Sequence, residues 1–222
     1  RVIAALAQLR LCNHPPVTIK RLQEICDVSY PTVASVLQEL ATKGWLQDTG
    51  ERGVRLRPLS AGEWMDLARD HSKQRRAAFF TDPTGQASPE QLARRLQRLQ
   101  GAGKLRQGVR IGGVMGATHH FPALDITAAP RLDLSVDGDP LAVASLLDAG
   151  LVPKTQDKQH AVLAVHANLD PWGSGERTGP SAGPWAGELE CLADLIEAGY
   201  VREATEMAHH LASNTQRAGE PG

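Results

Sequence analysis

VTIKRLQEICDVSYPTVASVLQELATKGWLQDTGERGVRLRP, residues 17–58, reads in order as a helix, a tight turn, a second helix and a two-stranded ribbon. Thr18 is placed to cap a helix that turns Leu22, Ile25 and Cys26 inward, and Asp27-Val28-Ser29 is short enough to be the turn. Ser29 is expected to accept a backbone N–H of the next helix. Pro31 sits in that helix's first turn, where its missing N–H costs nothing. Val33, Val36, Leu37 and Leu40 recur at helical spacing on one face. The opposite face carries Tyr30, Thr32, Ser35, Gln38 and Glu39, a polar set suited to base edges and phosphates. Gly44 is expected to stop the helix. Trp45 to Asp48 and Val54 to Arg57 then alternate like a hairpin around Thr49-Gly50-Glu51-Arg52-Gly53. This order predicts a winged helix–turn–helix and points to duplex DNA as partner. Ser29, Tyr30, Thr32, Ser35 and Gln38 are the expected groove residues; Lys20, Arg21, Arg52, Arg55 and Arg57 are the expected phosphate contacts.

Outside this stretch the charge is polarised. Net charge over the 222 residues is −1, but residues 1–60 hold eight Lys/Arg against five Asp/Glu, and residues 61–105 repeat that ratio. Residues 106–222 hold eight against fifteen, so the cations gather in the half that carries the ribbon. No apolar run is long enough to span a membrane, and no signal-peptide pattern precedes the first helix, so a cytoplasmic protein is expected. Three scattered cysteines, Cys12, Cys26 and Cys191, suit a reducing compartment, form no zinc pattern, and fall in apolar helical patterns that predict buried packing.

Val2, Ile3, Leu6, Leu9 and Leu11 predict a first helix, ended by Asn13-His14-Pro15-Pro16. With the unit that follows, it makes a DNA-binding domain over residues 1–59. Residues 60–107 are expected to be a helical connector. Ser60 and Glu63 form a capping-box pattern, His71 to Ala87 reads as a basic bridge, and Ser88-Pro89-Glu90-Gln91 opens a helix with Arg94, Arg95 and Arg98 outward. An α/β (α+β) domain is expected over residues 108–213. Its strands are Val109 to Ile111, Leu124 to Ile126, Leu132 to Val136 and Ala161 to Val165, with a helix opened by Asp139-Pro140. Residues 170–187 read as a mobile loop, Glu188 to Ala212 as helix broken near Gly199, and Asn214 to Gly222 as a disordered tail.

Ile111-Gly112-Gly113-Val114-Met115-Gly116-Ala117 and Pro130-Arg131-Leu132-Asp133-Leu134-Ser135-Val136 together resemble the minimal nucleotidyltransferase fold. In active members a Gly turn from strand to helix cradles the triphosphate. Two carboxylates one residue apart on the next strand then hold two Mg²⁺ ions. Here the pair is Arg131 with Asp133, or Asp133 with Ser135. Either way one carboxylate is missing, so no enzyme, no metal and no cofactor are expected. Asp137-Gly138-Asp139 reads as a turn leading to a helix cap rather than a metal pair. Asp125, on an expected preceding strand, is the other carboxylate placed to face Asp133 across a sheet. The histidine pairs His119-His120 and His209-His210 lack the i, i+4 spacing of helical metal ligands, and His14, His71, His160 and His166 add none. No nucleophile motif accompanies the serines.

A winged helix ahead of a nucleotidyltransferase-like domain with eroded carboxylates resembles the AbiEi-type antitoxins of type IV toxin–antitoxin systems. The supporting residues are Gly50 to Val54, Gly112, Pro130 to Val136, and Cys191 to Leu195 followed by Arg202-Glu203-Ala204. The resemblance implies a repressor of its own operon, bound to upstream DNA as monomer or dimer. It also implies neutralisation of a nucleotidyltransferase toxin without a lasting complex. The alternatives are an active Mg²⁺-dependent nucleotidyltransferase, a repressor binding a small ligand between Gly112 and the 170–187 loop, and a protein-docking module.

Overall fold

The computed structural model describes residues 1–49, 53–105, 108–126, 131–137, 139–154, 160–169 and 184–217. Among these the chain forms nine helices and a five-stranded mixed sheet, an α/β architecture. No helix among them is long and apolar enough to cross a membrane.

The N-terminal segment folds into α1 (Val2–Leu11), α2 (Ile19–Cys26) and α3 (Tyr30–Thr42). The Thr18 hydroxyl accepts the Arg21 N–H at 3.1 Å, a cap that contributes about 1 kcal/mol. Asp27 ends α2 in the left-handed region at φ 51°, which a short polar side chain tolerates better than most. Ser29 does not cap α3 as expected. Its Oγ pairs instead with Thr32 Oγ1 at 3.0 Å, and no side-chain bond to the helix backbone forms. Leu22, Cys26, Val33, Leu37 and Leu40 are buried as their spacing predicts. Cys12, expected inside, is exposed just beyond the last turn of α1.

After Gly44, whose φ of +65° reverses the chain, a minimal ribbon forms. Leu46 pairs with Leu56, Gln47 N–H donates to Arg55 O at 2.9 Å, and Arg57 N–H donates to Trp45 O at 2.9 Å. An unforeseen third piece flanks it: Val17 and Val54 exchange both backbone hydrogen bonds, at 3.0 and 2.8 Å. The tip, Gly50 to Arg52, lies outside the described residues.

Arg57 does not project from the ribbon. Its guanidinium donates to Gly44 O at 2.6 Å and Pro58 O at 2.8 Å and pairs with Glu63 in the first turn of α4 (Ala61–Gln74). Glu63 also closes a capping box with Ser60. The Arg57 hydrogen bond, helped by the Ser60 N–H and hydroxyl against the cost of burial, lowers the Glu63 carboxyl from 4.5 to about 2. A depressed carboxyl stabilises the fold above its ordinary pKa and loses that contribution as pH falls through the folded value. Glu63→Gln is therefore expected to cost about 1 kcal/mol at neutral pH, discounted for solvent screening of this partly exposed pair. In urea titrations, the gap from wild type should close between pH 4.5 and about 2.

The strands are β1 (Ala77–Thr81), β2 (Val109–Ile111), β3 (Leu132–Val136), β4 (Val152–Pro153) and β5 (Leu163–Ala167). They lie in the order β2-β3-β5-β1-β4, with β3 and β5 parallel and the other pairs antiparallel. The remaining helices are α5 (Pro89–Gly101), α6 (Gly113–His120), α7 (Pro140–Leu147), α8 (Glu188–Ala198) and α9 (Val201–Arg217).

The basic bridge is a correction. Residues 71–87 contain β1, an internal strand between β5 and β4, so residues 60–107 supply a strand and a sheet-packing helix rather than a purely helical connector. Leu124 to Ile126 is not a strand. α9 continues through Asn214 to Arg217, where a disordered tail was expected. Most of the 170–187 loop lies outside the described residues, but its end is tied down. Ile111 N–H donates to Pro184 O at 2.6 Å, and Ala186 N–H to Ile111 O at 2.8 Å.

α5 and α7 cover one face of the sheet through Leu92, Leu96, Ala144 and Leu147, against Leu132, Leu134, Val136, Leu163 and Val165. The other face meets α6 and the acidic side of α8; α4 and α9 pack on α8, and this helical layer shares one continuous core with α1 to α3. Arg10 of α1, fully buried, donates to the Thr215 carbonyl of α9 and closes that joint.

Candidate functional site

Two places hold the residues singled out from the sequence. The first is the outer face of α3. Burying Val33, Leu37 and Leu40 turns Tyr30, Thr32, Ser35, Gln38 and Glu39 outward, and Tyr30 is 56% exposed. Ser29, Lys20 and Arg21 are exposed beside them, Arg21 paired loosely with Glu24 at 3.3 Å. Glu39, the one acid on α3, is paired with Lys43 at 2.9 Å. Lys43 also pairs with Asp70 of α4 at 3.0 Å. The cations of the ribbon are less available than expected. Arg57 is engaged by Glu63, half-buried Arg55 donates to Asn13 Oδ1, and Arg52 lies outside the described residues.

The second place is the sheet face under α8. Alternation sends Leu132 and Leu134 to the apolar side, so Arg131, Asp133 and Ser135 share the opposite side with Arg110 and His166. All five are buried. Arg131 Nε donates to Asp133 Oδ1 at 2.8 Å, and His166 Nε2 lies 3.3 Å from the same oxygen. From above, α8 lowers Glu190, Asp194 and Glu197, spaced four and three residues apart on one helix face. Asp194 binds Arg75 Nη2 at 2.7 Å with both side chains 1% exposed. Its other oxygen accepts the Gly113 N–H at 2.9 Å. Ser135 donates to Glu190 at 3.1 Å. Arg131 stacks over the Phe79 ring at 5.4 Å, which meets His166 edge-on.

Electrostatics follow from this packing. Burial pushes the Asp133 carboxyl up, but the Arg131 charge and the His166 hydrogen bond outweigh it and hold the group below its ordinary range. Burial would lower the Arg75 guanidinium; Asp194 and Glu190 more than restore it. The Cys191 thiol is driven well up by burial and by Asp194 and Glu190, so it stays neutral. Burial likewise pushes the His71 imidazole well down.

Asp133, His166 and Asp194 place three donor atoms within 4.8 Å of one another. That spacing suits a cation, but both carboxylates already carry a guanidinium, and a divalent ion would have to enter between two buried arginines. The donor set fits its arginines better than a metal.

The Gly turn is also occupied. A side chain at Gly112 would collide with Asp194, and one at Gly113, where φ is +55°, with Asp133. The glycines thus make room for the protein's own carboxylates.

The remaining residues fall into place individually. Asp139 caps α7 through the Leu141 N–H at 3.1 Å, as expected. Asp125 is exposed beside Arg202, away from Asp133. His119 stacks on Trp185, His120 Nε2 meets Ala186 O at 2.8 Å, and His210 stacks on Phe121.

Missed from the sequence were Arg75, His166 and Asp194. The available signal was the Glu190, Asp194, Glu197 ladder on a helix otherwise dominated by leucines. Comparison of the chain with family models, curated proteins and solved structures finds no match.

Proposed function

We propose that the protein is a non-enzymatic, sequence-selective DNA-binding regulator of AbiEi-like type. In this proposal residues 1–59 act as a winged helix–turn–helix and the second half is nucleotidyltransferase-like with a closed site. The observation that carries it is the outer face of α3. A helix set by its predecessor across a tight turn presents hydroxyl, phenol and amide groups outward, with its only acid neutralised by Lys43. Such a face suits the major groove, and the Val17–Val54 and Leu46–Leu56 pairings supply the three short ribbon pieces that a wing needs.

The order β2, Gly turn, α6, antiparallel β3 supports the nucleotidyltransferase-like half. Absence of turnover is supported by the self-filled centre. Asp194 holds the turn N–H where a phosphate would bind, and Asp133 is bound to Arg131. Repression of the protein's own operon and neutralisation of a nucleotidyltransferase toxin follow from the resemblance. Rescue of growth on co-expression with such a toxin tests the latter.

The first test is binding to the protein's own upstream duplex against a scrambled one, by anisotropy over a salt series. Selective binding with a steep salt dependence is expected, and equal affinity for both duplexes would defeat the proposal. Lys20→Ala and Arg21→Ala should each flatten the log–log salt slope by about one while weakening all duplexes alike. Arg57→Ala, by contrast, should lower stability and leave the slope unchanged, because its guanidinium is held by Glu63.

A further inference from the structure

On the sheet face away from α3, a cleft of about 710 Å³ opens between α5, the turn after β1 and the end of α7. Its size falls in the range of small-molecule sites. Arg94, Arg95 and Arg98 of α5 line one wall. Arg95 is anchored by Asp148. Arg94 and Arg98 are exposed and form no ion pair among the described residues; each Nε is turned back onto a helix carbonyl. They stand one turn apart on the same helix face, with about 5–6 Å between their Cβ atoms.

The nearby acids do not neutralise them by contact. Glu90 accepts the Ser88 hydroxyl at 2.7 Å. Asp82 is enclosed by the Thr84, Gln86 and Ala87 N–H groups and the Thr84 hydroxyl. Those bonds, the Ala87 N–H foremost, lower its carboxyl to about 2. It therefore stays ionised at the rim of the cleft, with its oxygens turned to its own loop rather than to an arginine. The result is a concave site with two exposed guanidiniums that form no ion pair among the described residues, one of them within the field of Glu90, and a third held in place by Asp148.

We propose that this cleft binds a small oligophosphate ligand, a molecule carrying at least two linked phosphoryl groups. Guanidinium forks match phosphate oxygens two at a time, and a pair one helical turn apart fits linked phosphoryls better than a single one. A duplex lying on α3 does not reach the cleft, because the helical layer and the sheet lie between. The assignment is independent of DNA binding.

Calorimetric titration of the full chain with inorganic triphosphate, pyrophosphate and orthophosphate tests it. Triphosphate should bind at least about tenfold more tightly than orthophosphate. The double variant Arg94→Ala/Arg98→Ala should lose at least about tenfold in triphosphate affinity while keeping the wild-type melting temperature and the wild-type affinity for the upstream duplex. Equal affinity for all three anions, or triphosphate binding that survives the double variant, would overturn the assignment. So would a single-stranded oligonucleotide that needs both arginines when triphosphate does not bind, since the face would then serve a nucleic-acid strand.

Discussion

Asp194→Ala should destabilise the fold by about 3–5 kcal/mol, the cost of leaving a buried charge without its partner. The carboxylate meets Arg75 at 2.7 Å and the Gly113 N–H at 2.9 Å, all out of water. Its loss strands a fully buried guanidinium and an orphan helix N–H together. Against a typical total of about 5–15 kcal/mol, urea unfolding should show a midpoint displaced far toward zero. The double change Arg75→Met/Asp194→Leu should recover most of that loss, since it removes both charges at similar volume. A loss under about 1 kcal/mol for the single variant would mean that water reaches Arg75 and that the layer under α8 is not sealed.

Ser35→Glu should weaken binding to the upstream duplex by about 100-fold, near 2.7 kcal/mol. Ser35 stands in the middle of the exposed face of α3, between Thr32 and Gln38, and a carboxylate there would oppose phosphate and acceptor-rich base edges. As an exposed helix position it should shift stability by no more than about 0.5 kcal/mol. Melting curves with anisotropy titrations on the same preparation separate the two effects. Affinity held within threefold of wild type would take α3 out of the groove and leave the N-terminal segment a docking surface.

How much of this was legible depended on whether a residue's partner is local. Thr18, Pro31, Asp139 and the Val33-Leu37-Leu40 stripe act on their own turn or face, so spacing alone revealed them. β1 was hidden because Ala77-Ala78-Phe79-Phe80 does not alternate. An internal strand flanked on both faces has no solvent side to mark with polar residues. Leu124-Asp125-Ile126 erred the other way, with the alternation of a strand and no strand pairing among the described residues. At the buried centre, the Gly turn and the lone Asp133 were visible. The ion pairs were not, since Arg75 and Asp194 are 119 residues apart. Arg57 misled for a related reason: a ribbon cation reads as a phosphate contact until the fold puts Glu63 against it.

If α3 reads DNA as proposed, the joint between α1 and the last two helices sets how that reading can be altered. α1 turns its leucines into the same core as Leu192 and Met207, and Arg10 reaches the final turns of α9. The first sixty residues are thus no portable cassette. Cut free, they would carry a bare apolar flank, and grafting them onto another scaffold would move the problem rather than the function. Retargeting has to be done in place, by exchanging the outward side chains of α3 while leaving its inward leucines, and everything α1 leans on, untouched.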